Sequence, residues 1–138
     1  MNSKASPEQM ARARRLLAHE GAVGGADACV AAGRVFDKLR AQLAPLVGSA
    51  GVHALLVRSV KLTCGEFSFL DVAVVDDATK LRACLQTQEP AIAAASAALL
   101  FGTFFTLITT FIGERLTTQV LRRSWPTIEE TTPRESKP

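Results

Sequence analysis

No tyrosine occurs in this 138-residue sequence, and one tryptophan accompanies seven phenylalanines. Tyrosine is a common amphipathic anchor of polar recognition faces, so a broad paratope-like surface is disfavoured. Only two histidines are present, His19 and His53, which leaves a Cys-His nucleophile pair almost nothing to draw on. The three cysteines, Cys29, Cys64 and Cys84, are odd in number, form no short pairing motif and sit among apolar neighbours. They fit small buried hydrophobes in a reducing cytoplasm. No CxxC or HxxxH pair nucleates a zinc site from His19, His53, Cys64 and Cys84, and no cofactor is expected. Glu66, Asp71, Asp76 and Asp77 lack the alternating spacing of a calcium loop. The glycines at 21, 24 and 25 match no phosphate-loop pattern and read as a helix break. No Lys/Arg run is interleaved with stacking aromatics, which argues against nucleic acid as a partner. The N-terminus leads into a charged helix with no apolar core of a secretory signal.

What is present is apolar bulk. Hydrophobic residues make up 48% and charged residues 21%, which excludes a wholly disordered chain. The length suits one domain able to bury its own core. The net charge of +3 is unevenly spread, with a basic segment to residue 61 and an acidic one from 62 to 90.

From Ala91 to Gly113 the chain runs uncharged. That length spans a bilayer or forms the buried central helix of a bundle. Three predicted amphipathic helices precede it. Ser6 caps the first, with Pro7 at its first turn and Gln9 placed as in a capping box; Met10, Ala13 and Leu17 form its apolar stripe, and Arg12 and Arg15 face water. Asp27 caps a second, carrying Val35, Phe36, Leu39 and Leu43, which breaks at Pro45 and Gly48. Ser49 opens a third to about Cys64, with Gly65 as its C-terminal cap. The segment from Phe67 to Val75 reads as an irregular linker, and Asp77 caps a short helix to Gln88.

The last element is expected as one helix from about Glu89 to Arg123, roughly 50 Å long. Each earlier helix has a stripe that needs a partner, and a helix apolar on all sides supplies it. Flanking Lys/Arg on both sides of the run give no positive-inside bias. The expected fold is therefore all-α: four to five helices packed around one long apolar C-terminal helix, with residues 1–126 a single domain and 127–138 a disordered tail. A membrane span over residues 91–113 is the alternative.

Ser96, Thr103, Thr110 and Thr117 recur every seven residues, a small-residue stripe whose hydroxyls can bond back one turn. Glu114, just after the apolar run, calls for a cation if half-buried, and Arg58 or Lys61 are the candidates. His53, Arg58 and Lys61 give the third helix a basic side, and Arg115 adjoins Glu114. These five residues are the candidate ligand or partner contacts. The expected function is a non-enzymatic interaction or regulatory module, an accessory in signalling with a protein partner or a second copy of itself. A helical bundle holding a small apolar ligand between the long helix and the third, gated by Glu114 and Arg58, is the other reading.

The string Gly113-Glu114-Arg115-Leu116-Thr117, then Val120-Leu121 and Trp125-Pro126, stands with Pro45-Leu46-Val47-Gly48 and Gly51-Val52-His53-Ala54-Leu55-Leu56. Together these resemble a group of small uncharacterised bacterial proteins over roughly residues 30 to 126. The resemblance implies a bacterial, cytoplasmic, helical protein and brings no activity, substrate or cofactor with it.

Overall fold

A computed structural model describes residues 6–22, 25 and 27–126, and over these the protein is all-α. Six helices follow in order: α1 (Pro7–Ala22), α2 (Ala28–Val47), α3 (Ser49–Thr63), α4 (Ala78–Gln86), α5 (Pro90–Ile112) and α6 (Glu114–Ser124). A short 3-10 turn, Val72–Val75, links α3 to α4. The expected tail from 127 to 138 lies outside the described residues.

The expected caps form at three helices. Ser6 Oγ accepts from the Gln9 amide at 3.2 Å, and Asp27 and Asp77 accept from Val30 and Lys80 amides at 2.9 Å each. The capping box at α1 does not close. Gln9 Oε1 is taken by Arg12 at 3.0 Å, and the Ser6 amide instead donates to Thr106 Oγ1 on α5 at 3.2 Å. Gly65 is not in the left-handed region, so α3 ends on Cys64 in ordinary helical geometry. Pro45 does not stop α2. It stands near the C-terminus of α2, and the carbonyl its ring deprives of a donor belongs to exposed Ala41, which is open to solvent.

The single long C-terminal helix is corrected to two. Gly113 adopts φ +95°, ψ 157°, a backbone region essentially closed to side chains, and it ends α5 and begins α6 at once. Its amide donates to Thr109 O at 2.8 Å and its carbonyl accepts from Thr117 N at 3.1 Å. Gly48 makes the same joint between α2 and α3, at φ +82°, ψ 150°. Consequently α6 folds back along α5, and Thr109 meets Thr117 across the hairpin. Four to five helices therefore become six.

Both α5 and α2 pack against all the other helices, so the centre is a pair and not one rod. One buried cluster brings together Leu100, Phe101, Phe104, Phe105 and Ile108 of α5, Phe36, Leu39 and Leu43 of α2 and Leu56 and Val60 of α3. Leu81 and Leu85 of α4 close one side, with Leu70, Val74 and Val75 from the linker. Val120, Leu121 and Trp125 of α6 join the same cluster. Helix α1 runs antiparallel to α5, since Ser6 meets Thr106 while Leu17 and Gly21 lie beside Ala94–Ala98.

Candidate functional site

Between α1, α2 and α5, small side chains leave a cavity of about 450 Å³. Helix α1 contributes Arg14, Leu17, Ala18 and Gly21; α2 supplies Ala28 and Ala31. Ala94, Ala95, Ala97 and Ala98 of α5 form the opposite wall. Alanine methyls are too short to meet across the gap between helix axes, so the lost packing becomes open volume. Among the described lining residues Arg14 is the one that is charged, and it is exposed, with no ion pair or hydrogen bond to any described residue. The volume lies in the range of ordinary ligand pockets, which are mostly apolar with a few polar groups that fix orientation. A second, more polar hollow of about 170 Å³ lies between Asp27, Cys29, Gln86 and Pro90.

On the other flank of α1, two polar clusters pin both ends of α6. At its start, buried Arg12 donates to Glu114 Oε2 at 3.1 Å, to Thr118 Oγ1 at 3.3 Å and to Gln9. Arg12 is 8% exposed, whereas the Glu114 side chain is 60% exposed. At its end, Glu20 is 2% exposed and accepts from Lys38 Nζ and, at 2.8 Å, from Trp125 Nε1. Arg34 Nη1 donates to the Glu20 carbonyl at 3.0 Å, and Lys38 also lies over the Trp125 ring. Burial alone raises the Glu20 pKa, but the Lys38 and Trp125 hydrogen bonds outweigh it and hold the carboxyl below its usual range.

These positions correct several expectations. Arg12 was expected in water and is buried, because α6 folds over it. The cation that meets Glu114 is Arg12, not Arg58 or Lys61. His53, Arg58 and Lys61 stand exposed on α3, and Arg115 is exposed on α6. The five candidate contacts are thus not gathered into one pocket. The 450 Å³ cavity lies between α1, α2 and α5, away from α3. Of the small-residue stripe, Ser96, Thr103 and Thr117 are buried and Thr110 is exposed. Thr106, Thr110 and Thr117 bond back one turn as expected, at 2.8–2.9 Å, while the buried Thr103 hydroxyl has no partner.

Burial, with help from Asp27, pushes the Cys29 thiol up, though Arg82 opposes this; burial and then Asp71 do the same to Cys84. Both stay protonated and poorly nucleophilic at neutral pH. Among the described residues no group of three or more His, Cys, Asp or Glu is placed to hold a metal. The cavity was missed in sequence because an alanine run reads only as weak apolar filler. The available signal was Ala91, Ala94, Ala95 and Ala98 on one side of α5, beside Ala18 and Gly21 of α1. No family model, no curated protein and no solved structure matches the chain.

Proposed function

We propose that the protein is a non-enzymatic binding module, a helical bundle built around α2 and α5 whose working surface is the groove between α1 and α5. The observation that carries this reading is the groove itself: a cavity of about 450 Å³ with apolar walls and, among the described residues, one cation without an anionic partner. Its described lining residues include neither a nucleophile nor an acid–base pair, which favours binding over catalysis. A regulatory accessory role in a bacterial cytoplasm fits such a module, its state set by what fills the groove. A neutral apolar dye tests the reading. Its fluorescence is expected to rise on the wild type and to stay near baseline on Ala95→Leu, which puts an isobutyl group into the groove. Equal enhancement on both variants places the dye elsewhere and defeats the proposal.

A second surface favours self-association. Phe111 is 66% exposed and Leu116 40% exposed, one on either side of the α5–α6 turn. Two large apolar side chains in water at one tip form a patch of the kind that seeks a partner. Light scattering across a concentration series is expected to give a dimer that Phe111→Ser returns to monomer. The same preparation tests the span reading. Pro90–Ile112 is long and apolar enough to cross a bilayer, yet 61% of its most apolar window is buried. Recovery only from the detergent-released membrane fraction makes it a span; recovery without detergent makes it a core helix.

A further inference from the structure

We infer that the groove between α1 and α5 binds a free single-chain amphiphile, one aliphatic arm carrying one anionic head group, with the head group held by Arg14. The inference rests on the groove being the working surface and names what occupies it. Three features select this class of ligand. The first is volume. A groove of about 450 Å³ is the size of an ordinary small-ligand site and accommodates one slender chain.

The second feature is the wall. Ala18, Ala94, Ala95 and Ala98 offer methyl groups and no side-chain donor or acceptor, so an occupant must be apolar along its length. The third is charge. Among the described lining residues Arg14 is the lone titratable one, and it has no anionic partner among the described residues. A guanidinium at the rim can take a carboxylate or a phosphate through parallel N–H donors while its own stem adds to the apolar wall.

Titration calorimetry with octanoate, decanoate and decan-1-ol below their micelle concentrations tests the inference on the full chain. Decanoate is expected to bind more tightly than octanoate by about fourfold per added methylene, the value for transfer of apolar surface. Decanoate is also expected to bind more tightly than decan-1-ol. Arg14→Gln should weaken decanoate about three- to fivefold, a rim charge being partly screened by water, and leave decan-1-ol unchanged. Arg14→Lys should restore part of the loss.

Equal affinities for acid and alcohol, unmoved by Arg14→Gln, overturn the anionic head group while leaving the groove as the binding surface. Binding of neither ligand, with the neutral dye also indifferent to Ala95→Leu, overturns both readings. Cosedimentation with vesicles of phosphatidylcholine and phosphatidylglycerol separates the two sources of such a chain. Vesicle binding without decanoate binding overturns a free ligand in favour of a lipid surface.

Discussion

The two halves of α5 are both uncharged but are buried to different extents. From Leu100 to Ile108 the helix presents Phe101, Phe104 and Phe105, all fully buried in the core cluster. From Ala91 to Ala98 one side, with Ala93, Ala97 and Ala98, is buried, while Ala91, Ala94 and Ala95 are exposed. Side-chain reach is the difference. Phenylalanine fills the space between axes set by its neighbours and is buried by doing so, while alanine leaves that space open. Hydropathy alone rates both halves as core. What separates them is volume, which decides whether an apolar helix face becomes packing or a groove.

The comparison is broken most severely by emptying the packed half. Phe104→Ala removes a ring with no route to solvent, and the expected cost is about 3–5 kcal/mol in urea or thermal unfolding. Such a loss is a large fraction of the stability of an ordinary domain. A cost near zero would mean that this half is as loosely filled as the alanine half, and the contrast would disappear.

Next in size is the joint that ends α5. At φ +95°, ψ 157°, an added Cβ at Gly113 meets no neighbour within 4 Å, so the penalty of Gly113→Ala is purely one of backbone conformation. About 1–3 kcal/mol is expected, read by the same unfolding curves. Loss of stability without loss of helical signal in circular dichroism would fit a hinge forced open. A gain in stability would mean that the chain prefers one continuous helix there.

Glu20 comes third. Glu20→Gln keeps an acceptor for Trp125 Nε1 but removes the charge that Lys38 meets, and about 1–2 kcal/mol is expected at neutral pH. The pH dependence follows from the sign of the shift. The folded carboxyl lies below the unfolded value, so the unfolded chain binds more protons in the interval between them. This contribution is complete above the unfolded carboxylate range, near about 4.3, and fades as pH falls through the lower folded value. Glu20→Gln should therefore flatten the acid limb of the stability curve.

The legibility of these features in the sequence follows the same division. Caps at Ser6, Asp27 and Asp77 were readable because a short polar side chain satisfies an orphan amide locally. The buried face of α2, with Val35, Phe36, Leu39 and Leu43, was readable because its periodicity survives any packing partner. Gly48 and Gly113 form the same joint, yet only Gly48 reads as a break, since Pro45 precedes it. Gly113 sits in an apolar run followed by Glu114-Arg115, good helix formers that hide the change of direction. Missing that joint also mislaid Arg12: on a straight last helix nothing folds over it, so water is the natural expectation. Glu114 was expected to need a cation only if half-buried; it is 60% exposed, and it meets Arg12 because α6 turns back over that buried guanidinium. The groove was the least legible feature, because a cavity is what three helices leave unfilled and no single residue signals it.

The smallest effect on stability is also the one that sharpens the comparison most. Ala95 is exposed on α5 at the groove wall, so Ala95→Leu adds apolar volume where nothing has to move aside. Its expected effect on unfolding is within about 0.5 kcal/mol, as for most surface substitutions. If the alanine half were merely unfinished core, the added side chain would bury itself against Leu17 and raise stability by about 1 kcal/mol or more. If that half is kept open to receive something, stability holds while dye and decanoate binding fall together. One variant measured two ways therefore separates a packing deficit from a binding surface. Chevron kinetics add a check on the same point: a groove that stays open in the native state predicts that Ala95→Leu leaves both the folding and the unfolding arm where they are.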